Sequence, residues 1–193
     1  MKRIIGLTGG IATGKSTVAN YLANTYKLPI LDADIYARDA VAVGSRILDE
    51  IVQRYGKDIL LSNAELDRAK LGEIIFQNQA ERVWLESLIH PYVRERFNQE
   101  ISISSSNIIV LEIPLLFEVG MTDLTTEIWV VSCSESQQLE RLMQRNKLTL
   151  EQAQARIKSQ MPLAEKIVRA DVVLDNSLSL ETLLKQVDLA IQI

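Results

Sequence analysis

The residues from Gly9 to Ser16 have the types and spacing of a phosphate-binding loop. Their sequence, Gly-Gly-Ile-Ala-Thr-Gly-Lys-Ser, matches the pattern G-x-x-x-x-G-K-[ST] at every fixed position. The glycines let the backbone curl so that successive N–H groups point at phosphate oxygens, and the following helix adds its positive N-terminal end. Lys15 supplies a cation for the β and γ phosphates, and the Ser16 hydroxyl is a suitable Mg²⁺ ligand. The pattern predicts binding of a nucleoside triphosphate and leaves its chemical fate open.

Two aspartates, Asp32 and Asp34, follow the apolar run Leu28–Leu31. If that run is a strand of an open parallel sheet, its carboxyl end faces the ligand crevice. Asp34 is then placed to accept a proton from an acceptor hydroxyl during phosphoryl transfer, and Asp32 to support a metal or to hold Asp34. Alternatively, one of them caps the helix that follows. The residues alone do not separate these two possibilities.

Glu112 ends another apolar run, residues 108–111. A buried strand that ends in an acid is typical of the element that holds Mg²⁺ through water in nucleotide-binding proteins. The alternative is a solvated acid at the end of a strand. We favour the metal role.

Arginines in the basic segment 140–169 are candidates for contact with phosphate. That segment has seven basic and three acidic residues, whereas the whole chain has a net charge of -4. Arg141 and Arg145 are four residues apart and so share one helical face. Cations placed there can neutralise the charge on a transferring phosphoryl group. The alternative is a solvated helix face, and we favour the phosphate contact because the segment is basic and the same chain contains a phosphate loop. We expect this segment to close over an anion.

The rest of the chain must position these groups, and it alternates strand-type and helical segments. This alternation predicts an α/β fold with a doubly wound, mainly parallel, five-stranded sheet. A one-sided apolar stripe predicts a helix from Lys15 to Tyr26, and Ser179 is the expected cap of a last helix. The five strand-type runs are Arg3–Leu7, Leu28–Leu31, Ile108–Ile113, Glu127–Val131 and Asp171–Leu174.

Three parts follow from this pattern. Residues 44–102 contain several helical segments with no strand between them, which predicts a helical insertion. The basic, helical segment 140–169 is the expected lid. The nucleotide-binding core is then formed by residues 1–43, 103–139 and 170–193.

Composition excludes several classes of protein. The chain has 193 residues, 47% of them hydrophobic, which suits one domain with an insertion. A net charge of -4 gives no general attraction to nucleic acid or anionic membranes, and no apolar run reaches the roughly 20 residues of a membrane span. One cysteine, Cys133, and one histidine, His90, exclude an internal disulfide and a Cys/His zinc site. A lone thiol suits the cytoplasm, where we expect the protein.

The phosphate loop is the first of several short blocks that follow one another along the chain. The blocks are Leu7 to Thr17, Asp32-Ala33-Asp34 with Arg38, Asp67-Arg68, Leu71-Gly72, His90-Pro91-x-Val93-Arg94, Ile113 to Glu118, Gln138-x-x-Arg141-Leu142, Arg156-Ile157-x-Ser159-Gln160, and Ala170-Asp171 ahead of Asn176. A phosphate loop is common to many families, whereas this ordered set of blocks is far more specific. Together the blocks resemble the dephospho-CoA kinase family along nearly the whole chain.

The resemblance implies transfer of the ATP γ-phosphoryl group to the ribose 3′-hydroxyl of dephospho-CoA, the last step of coenzyme A biosynthesis. It implies a nucleotide core, a helical CoA-binding domain and a lid. Asp34 becomes the base, Arg141 a lid residue that faces phosphate, and Asn176 a neighbour of the adenine. Catalysis is thus expected of Asp34, Lys15 and Arg141, and Mg²⁺ binding of Ser16 and Glu112. The residues expected to bind ATP are Gly9, Gly10, Ile11, Ala12, Thr13, Gly14, Lys15, Ser16, Thr17, Arg145 and Asn176.

The sequence departs from the family pattern at two places. Position 112 is Glu where Asp is common, and Ser177-Leu178 follow Asn176 where a glycine is frequent. One alternative is another small kinase that acts on a nucleoside or a nucleoside monophosphate. A more distant one is a switch-type GTPase, which needs an Asn-Lys-x-Asp element. The nearest match, Asn146-Lys147-Leu148-Thr149, lacks the acid.

Overall fold

Five short apolar segments form one parallel sheet. The strands are β1 (Arg3–Gly9), β2 (Ile30–Asp32), β3 (Ile108–Glu112), β4 (Glu127–Ser132) and β5 (Val172–Asp175). Their spatial order is β2-β3-β1-β4-β5, and every neighbouring pair is parallel. This computed structural model describes residues 2–192. The predicted five-stranded α/β fold is confirmed.

Helices connect the strands and also form a separate unit. They are α1 (Lys15–Tyr26), α2 (Ala33–Asp39), α3 (Arg46–Tyr55), α4 (Arg68–Gln77), α5 (Gln79–Ile103), α6 (Glu135–Asn146), α7 (Leu150–Lys158), α8 (Leu163–Val168) and α9 (Leu180–Ile191). Short 3₁₀ turns occur at Lys57–Ile59 and Thr122–Leu124. None of the helices within residues 2–192 is long and apolar enough to cross a membrane.

The chain divides into two units. One ends at Asp32 and resumes at Ile103, and it contains the sheet. The other is Ala33–Ser102. The second unit includes α2, which the predicted boundaries place in the core. The three-part division into core, insertion 44–102 and lid 140–169 remains a prediction.

The core of the first unit lies where α1 and α9 pack on the sheet. Both helices turn one apolar face inward, as the periodicity predicts. Burial of each such side chain contributes about 1.5–3 kcal/mol. The fully buried members include Ile5, Leu7, Val18, Leu22, Val110, Trp129, Val131, Leu183 and Val187.

Polar caps fix where the helices of this unit begin. The Ser179 hydroxyl accepts a hydrogen bond from Thr182 N at 3.1 Å, which confirms the predicted cap of the last helix. Ser134 and Gln137 form a reciprocal capping box at the start of α6. This cap fixes the start of α6 at Glu135.

The second unit is helical apart from one isolated antiparallel bridge between Leu60 and Leu66. It has its own apolar core. That core includes Ala40, Val41, Leu48, Ile51, Ile59, Leu66, Leu71 and Leu85.

Candidate active site

The phosphate-binding loop lies between β1 and α1. Gly9 and Gly14 have φ angles of 153° and 107°, and Ala12 has a φ of 61°. Gly14 is the N-cap of α1, and a Cβ placed there would collide with Nδ2 of Asn176. Both the backbone angle and this contact therefore require glycine at position 14.

Internal hydrogen bonds hold the loop in a closed curl. The buried Thr13 hydroxyl donates to the Gly10 carbonyl at 2.9 Å, and Lys15 Nζ donates to the same oxygen at 3.2 Å. The first N–H groups of an α-helix lack intrahelical partners. The N-terminus of α1, which begins at Lys15, therefore presents backbone donors and positive potential at the loop.

Two acids and a hydroxyl lie together at the carboxyl edge of the sheet. Ser16 Oγ donates to Glu112 Oε1 at 3.1 Å. Glu112, on β3, is 8% exposed, and Asp32 is its register partner on β2. Neighbouring strands are about 4.8 Å apart, so the two acids are close neighbours.

This donor set has the chemistry of a Mg²⁺ site. Carboxylate and hydroxyl oxygens are hard ligands, and Mg²⁺ normally binds one or two carboxylates and completes its shell with water and phosphate oxygens. Within residues 2–192, no group of three or more His, Cys, Asp or Glu side chains could hold a metal alone. The Ser16 hydroxyl adds a third oxygen to the two carboxylates at this edge.

Asn176 joins the loop to α6. Its Nδ2 donates to the Thr13 carbonyl at 2.8 Å, and its own carbonyl accepts from Arg141 Nη2 at 3.1 Å. In the described part of the chain, Arg141 Nη1 is buried and has no hydrogen-bond partner. Neither Ser177 nor Leu178 has a positive φ, so this connection does not need the glycine that the family often has there.

The two predicted arginines differ in their surroundings. Arg141 is partly buried beside Asn176, whereas Arg145 is exposed and donates to Asn146 Oδ1 at 2.9 Å. Arg141 also lies next to Cys133. Burial raises the pKa of the Cys133 thiol, and the guanidinium offsets only part of that rise. A thiol that stays protonated is a poor nucleophile, which agrees with a packing role for Cys133.

Two glutamines contact the loop, and sequence reasoning assigned no role to either. Gln138 Nε2 donates to the Ile11 carbonyl at 2.8 Å, and Gln160 Oε1 accepts from Ile11 N at 2.9 Å. One sequence signal was available for Gln138. It lies three residues before Arg141 and therefore on the same helical face.

The second unit carries Asp34 and a groove of its own. Asp34 is exposed in the first turn of α2, where the helix dipole favours a carboxylate, and Asp32 directly precedes that helix. A cavity of about 330 Å³ lies beside Asp34. Its other lining residues include the cations Arg38 and Arg68 and the apolar side chains Val41, Leu66, Leu71, Ile75, Leu85 and Ile89.

Comparison with known proteins gives one consistent result. A family model described as dephospho-CoA kinase matches residues 3–182. A dephospho-CoA kinase of Trichormus variabilis is 73% identical over 190 residues, which is 98% of this chain and 97% of the relative. The chain belongs to the dephospho-CoA kinase family.

Further relatives agree. A dephospho-CoA kinase of Synechocystis sp. is 58% identical over 177 residues, 91% of this chain and 88% of the relative. The solved structure of a dephospho-CoA kinase from Campylobacter jejuni has a TM-score of 0.75 at 33% identity, with 100% of this chain and 96% of that chain covered. The interpretation of the sequence as a phosphotransferase of this family is confirmed. The nucleoside or nucleoside monophosphate kinase is not supported.

The fold itself is shared more widely. A shikimate kinase from Bacteroides thetaiotaomicron has a TM-score of 0.57 at 11% identity, over 98% of this chain and 97% of that chain. At that identity the likeness concerns the fold alone.

Proposed function

We propose that this enzyme transfers the γ-phosphoryl group of ATP to the ribose 3′-hydroxyl of dephospho-CoA, forming CoA and ADP. One observation carries the nucleotide half of the proposal. In this chain, the Ser16 hydroxyl at the start of α1 is hydrogen-bonded to the buried acid Glu112. A phosphate loop and an acid with the chemistry of a Mg²⁺ ligand thus meet at one edge of the sheet.

ATP is proposed to bind with its phosphates in the loop from Gly9 to Thr17. The backbone N–H groups and the N-terminus of α1 contact phosphate oxygens, and Lys15 moves from the Gly10 carbonyl to the β and γ phosphates. Asn176 supports this loop through Thr13, on the side where the family resemblance places the adenine. Arg145 lies further along α6 and would contact the nucleotide from there.

Mg²⁺ is proposed to be held by Ser16 and Glu112, with Asp32 next to them. When bound, the ion neutralises charge on the β and γ phosphates. The protein contributes two features of this site. The Glu112 carboxylate is fixed by burial in β3, and Ser16 is fixed by the first turn of α1.

Arg141 is proposed to stabilise the charge that spreads over the transferring phosphoryl group. Its guanidinium donates a hydrogen bond to the backbone carbonyl of Asn176. The backbone of Asn176 is fixed in turn, because its N–H donates to the Ser132 carbonyl at 2.7 Å. An N–H of Arg141 that lacks a protein partner fits a ligand oxygen. Fixed donors aimed at developing charge are the main protein contribution to phosphoryl transfer.

The helical unit is proposed to bind dephospho-CoA, and Asp34 to accept the proton of its 3′-hydroxyl. Phosphoryl transfer through a loose transition state needs only a weak base that orients the hydroxyl. The cavity beside Asp34 combines arginines with an apolar wall. That combination suits a molecule with both phosphate groups and an uncharged arm. The substrates are small molecules, and the reaction is proposed for the cytoplasm, where the lone thiol of Cys133 stays reduced.

ADP release from Mg·ATP tests this function, with dephospho-CoA compared with AMP, CMP, UMP, adenosine and no acceptor. We expect release to require dephospho-CoA and CoA to be the product. Turnover only with a monophosphate or a nucleoside would retain the nucleotide site and overturn the acceptor. Slow release with no dependence on an acceptor would overturn the transferase function.

A further inference from the structure

The peptide groups on both sides of Ile11 are held from outside the phosphate loop. Gln160 Oε1 accepts a 2.9 Å hydrogen bond from Ile11 N, and Gln138 Nε2 donates a 2.8 Å bond to the Ile11 carbonyl. Gln138 lies just before the basic segment 140–169, and Gln160 lies within it. We propose that Gln138 and Gln160 are positioning residues that fix the Ile11 backbone for ATP binding.

Gln138 reaches the loop because Gly10 has no side chain. Gly10 is not a fixed position of the phosphate-loop pattern, and its φ is not in the left-handed region. A Cβ at Gly10 would lie 2.5 Å from Gln138 Nε2 and 3.2 Å from Thr13 Cγ2. Glycine at position 10 is therefore explained by the close approach of Gln138, whose side chain is buried on α6.

Gln160 is held in place through the residue that follows it. Met161 N donates to Glu118 Oε1 at 2.9 Å, and the same oxygen accepts from Lys166 Nζ at 2.8 Å. Lys166 is fully buried and also donates to the Pro114 carbonyl at 3.1 Å. A buried ammonium is retained only where partners compensate its lost hydration.

The hydrogen bonds that hold Gln160 in place lead back to the sheet. The Pro114 carbonyl accepts a second hydrogen bond, from the Thr8 hydroxyl at 3.1 Å, and Thr8 is the penultimate residue of β1. The position of Gln160 is thus fixed relative to the strand that begins the phosphate loop. Gln160, through these hydrogen bonds, and Ile11, through the chain itself, are thus both connected to β1.

The consequence concerns ATP and not the acceptor. Ile11 lies in the stretch whose backbone N–H groups surround the phosphates, so its orientation sets how the loop meets them. The inference rests on the nucleotide half of the proposed function. It predicts a loss of nucleotide affinity when either glutamine loses its hydrogen bond, with no change in the affinity for dephospho-CoA.

Methionine substitutions test the proposal because methionine has a similar length and forms no strong hydrogen bond. The variants are Gln138→Met, Gln160→Met and the double variant. The matched control is Gln144→Met, since Gln144 is exposed on α6 and its amide donates to Glu140 in the same helix. The measurements are the calorimetric Kd for ADP without acceptor, the KM for ATP and the KM for dephospho-CoA.

Loss of one uncharged hydrogen bond predicts about a three- to tenfold rise in the Kd for ADP and the KM for ATP in each single variant. The KM for dephospho-CoA should stay at the value of the control. Because both side chains hold the same residue, the double variant should lose less than the product of the single effects. An ADP affinity equal to that of Gln144→Met would overturn the proposal, as would a parallel rise in both KM values.

A pair of equally charged variants tests the direction of the hydrogen bonds. Gln160→Glu keeps an acceptor for Ile11 N, whereas Gln138→Glu loses the donor to the Ile11 carbonyl. Both add one negative charge near the loop, and only Gln138→Glu places that charge against a carbonyl oxygen. We expect Gln138→Glu to lose more ADP affinity. Equal losses, or a larger loss in Gln160→Glu, would overturn the proposal. The ADP titration needs no acceptor, so its result is independent of whether dephospho-CoA is the substrate.

Discussion

The Ser16 hydroxyl donates a 3.1 Å hydrogen bond to Glu112 Oε1, although glutamate is one methylene longer than the aspartate common at this position in the family. Glu112 closes β3, where its neighbour on β2 is Asp32 and its neighbour on β1 is Leu7. The longer side chain therefore still reaches the first turn of α1. The departure from the family pattern leaves the proposed metal ligands together.

Glu112→Gln tests the metal role. It keeps the size of the side chain and removes its charge, so we expect the Mg²⁺ concentration for half-maximal activity to rise by about ten- to a hundredfold. ADP formation over a Mg²⁺ titration measures this rise. Glu112→Asp, which keeps the charge, should respond far less. An unchanged Mg²⁺ requirement in Glu112→Gln would remove Glu112 from the proposed metal site.

Asp34→Asn tests the base. Loss of a general base lowers the rate by about a hundred- to ten-thousandfold, and we expect kcat to fall in this range while the Kd for ADP is unchanged. Asp39→Asn is the control, because Asp39 is exposed at the other end of the same helix and does not line the cavity. Normal kcat in Asp34→Asn would exclude Asp34 as the base.

Local patterns predicted most of the fold, and contacts between distant residues account for what was missed. The helix Lys15–Tyr26 follows from its own stripe of apolar residues, and its bounds are those predicted. The strand predicted at Leu28–Leu31 is instead Ile30–Asp32, because Pro29 has no N–H to donate to a neighbouring strand.

The same contrast between local patterns and contacts of distant residues applies to the candidate site. The phosphate loop was recognised because its spacing is fixed within eight residues. The contact of Gln160 with Ile11 spans 149 positions, and no local pattern in a single sequence indicates such a pair. The partner of Ser16 was predictable only as an acid at the end of a strand, since the strand order decides which acid lies beside it.

Gly14→Ala tests the loop geometry. The φ of 107° strains any residue with a Cβ, and that Cβ would collide with Asn176. Gly44→Ala is a matched control for strain alone, because Gly44 has a φ of 83° and nothing within 4 Å of the added carbon. We expect both variants to lose about 1 kcal/mol or more of stability. Only Gly14→Ala should also lose ADP binding in a calorimetric titration, and retained affinity would contradict the contact with Asn176.

Glu118→Gln tests the ion pair between Glu118 and Lys166, which lies on α8. The substitution leaves the fully buried Lys166 without its counter-charge, which is expected to cost about 3–5 kcal/mol of unfolding free energy. Urea unfolding measures this cost. Lys166→Met combined with Glu118→Gln removes both charges and should recover much of the loss. A double variant less stable than Glu118→Gln would contradict the cost assigned to the unpaired, buried Lys166.

The helical unit should lose stability in acid through Glu81. Hydrogen bonds from Arg54 and Tyr55 lower the pKa of Glu81 from 4.5 to about 2. Arg54 contributes Nε and Nη2 at 2.7 and 2.9 Å, and the Tyr55 hydroxyl also donates to Oε2. A group whose pKa is lower in the folded state stabilises that state at pH values above its unfolded pKa. This contribution is therefore complete above pH 4.5 and is lost as the pH falls towards 2.

Glu81→Gln isolates that contribution, because glutamine keeps an oxygen for Arg54 and Tyr55 and does not titrate. Urea unfolding at a series of pH values should show the wild-type chain losing its advantage over Glu81→Gln between pH 4.5 and about 2, since only the wild type takes up this proton on unfolding. Glu86→Gln is the control, because Glu86 forms an exposed pair with Arg82 at 3.8 Å. Exposed pairs of this kind contribute little to stability, so its curve should run parallel to the wild type. If Glu81→Gln also runs parallel to the wild type, the Arg54–Glu81–Tyr55 contacts do not stabilise the ionised carboxylate in the folded unit.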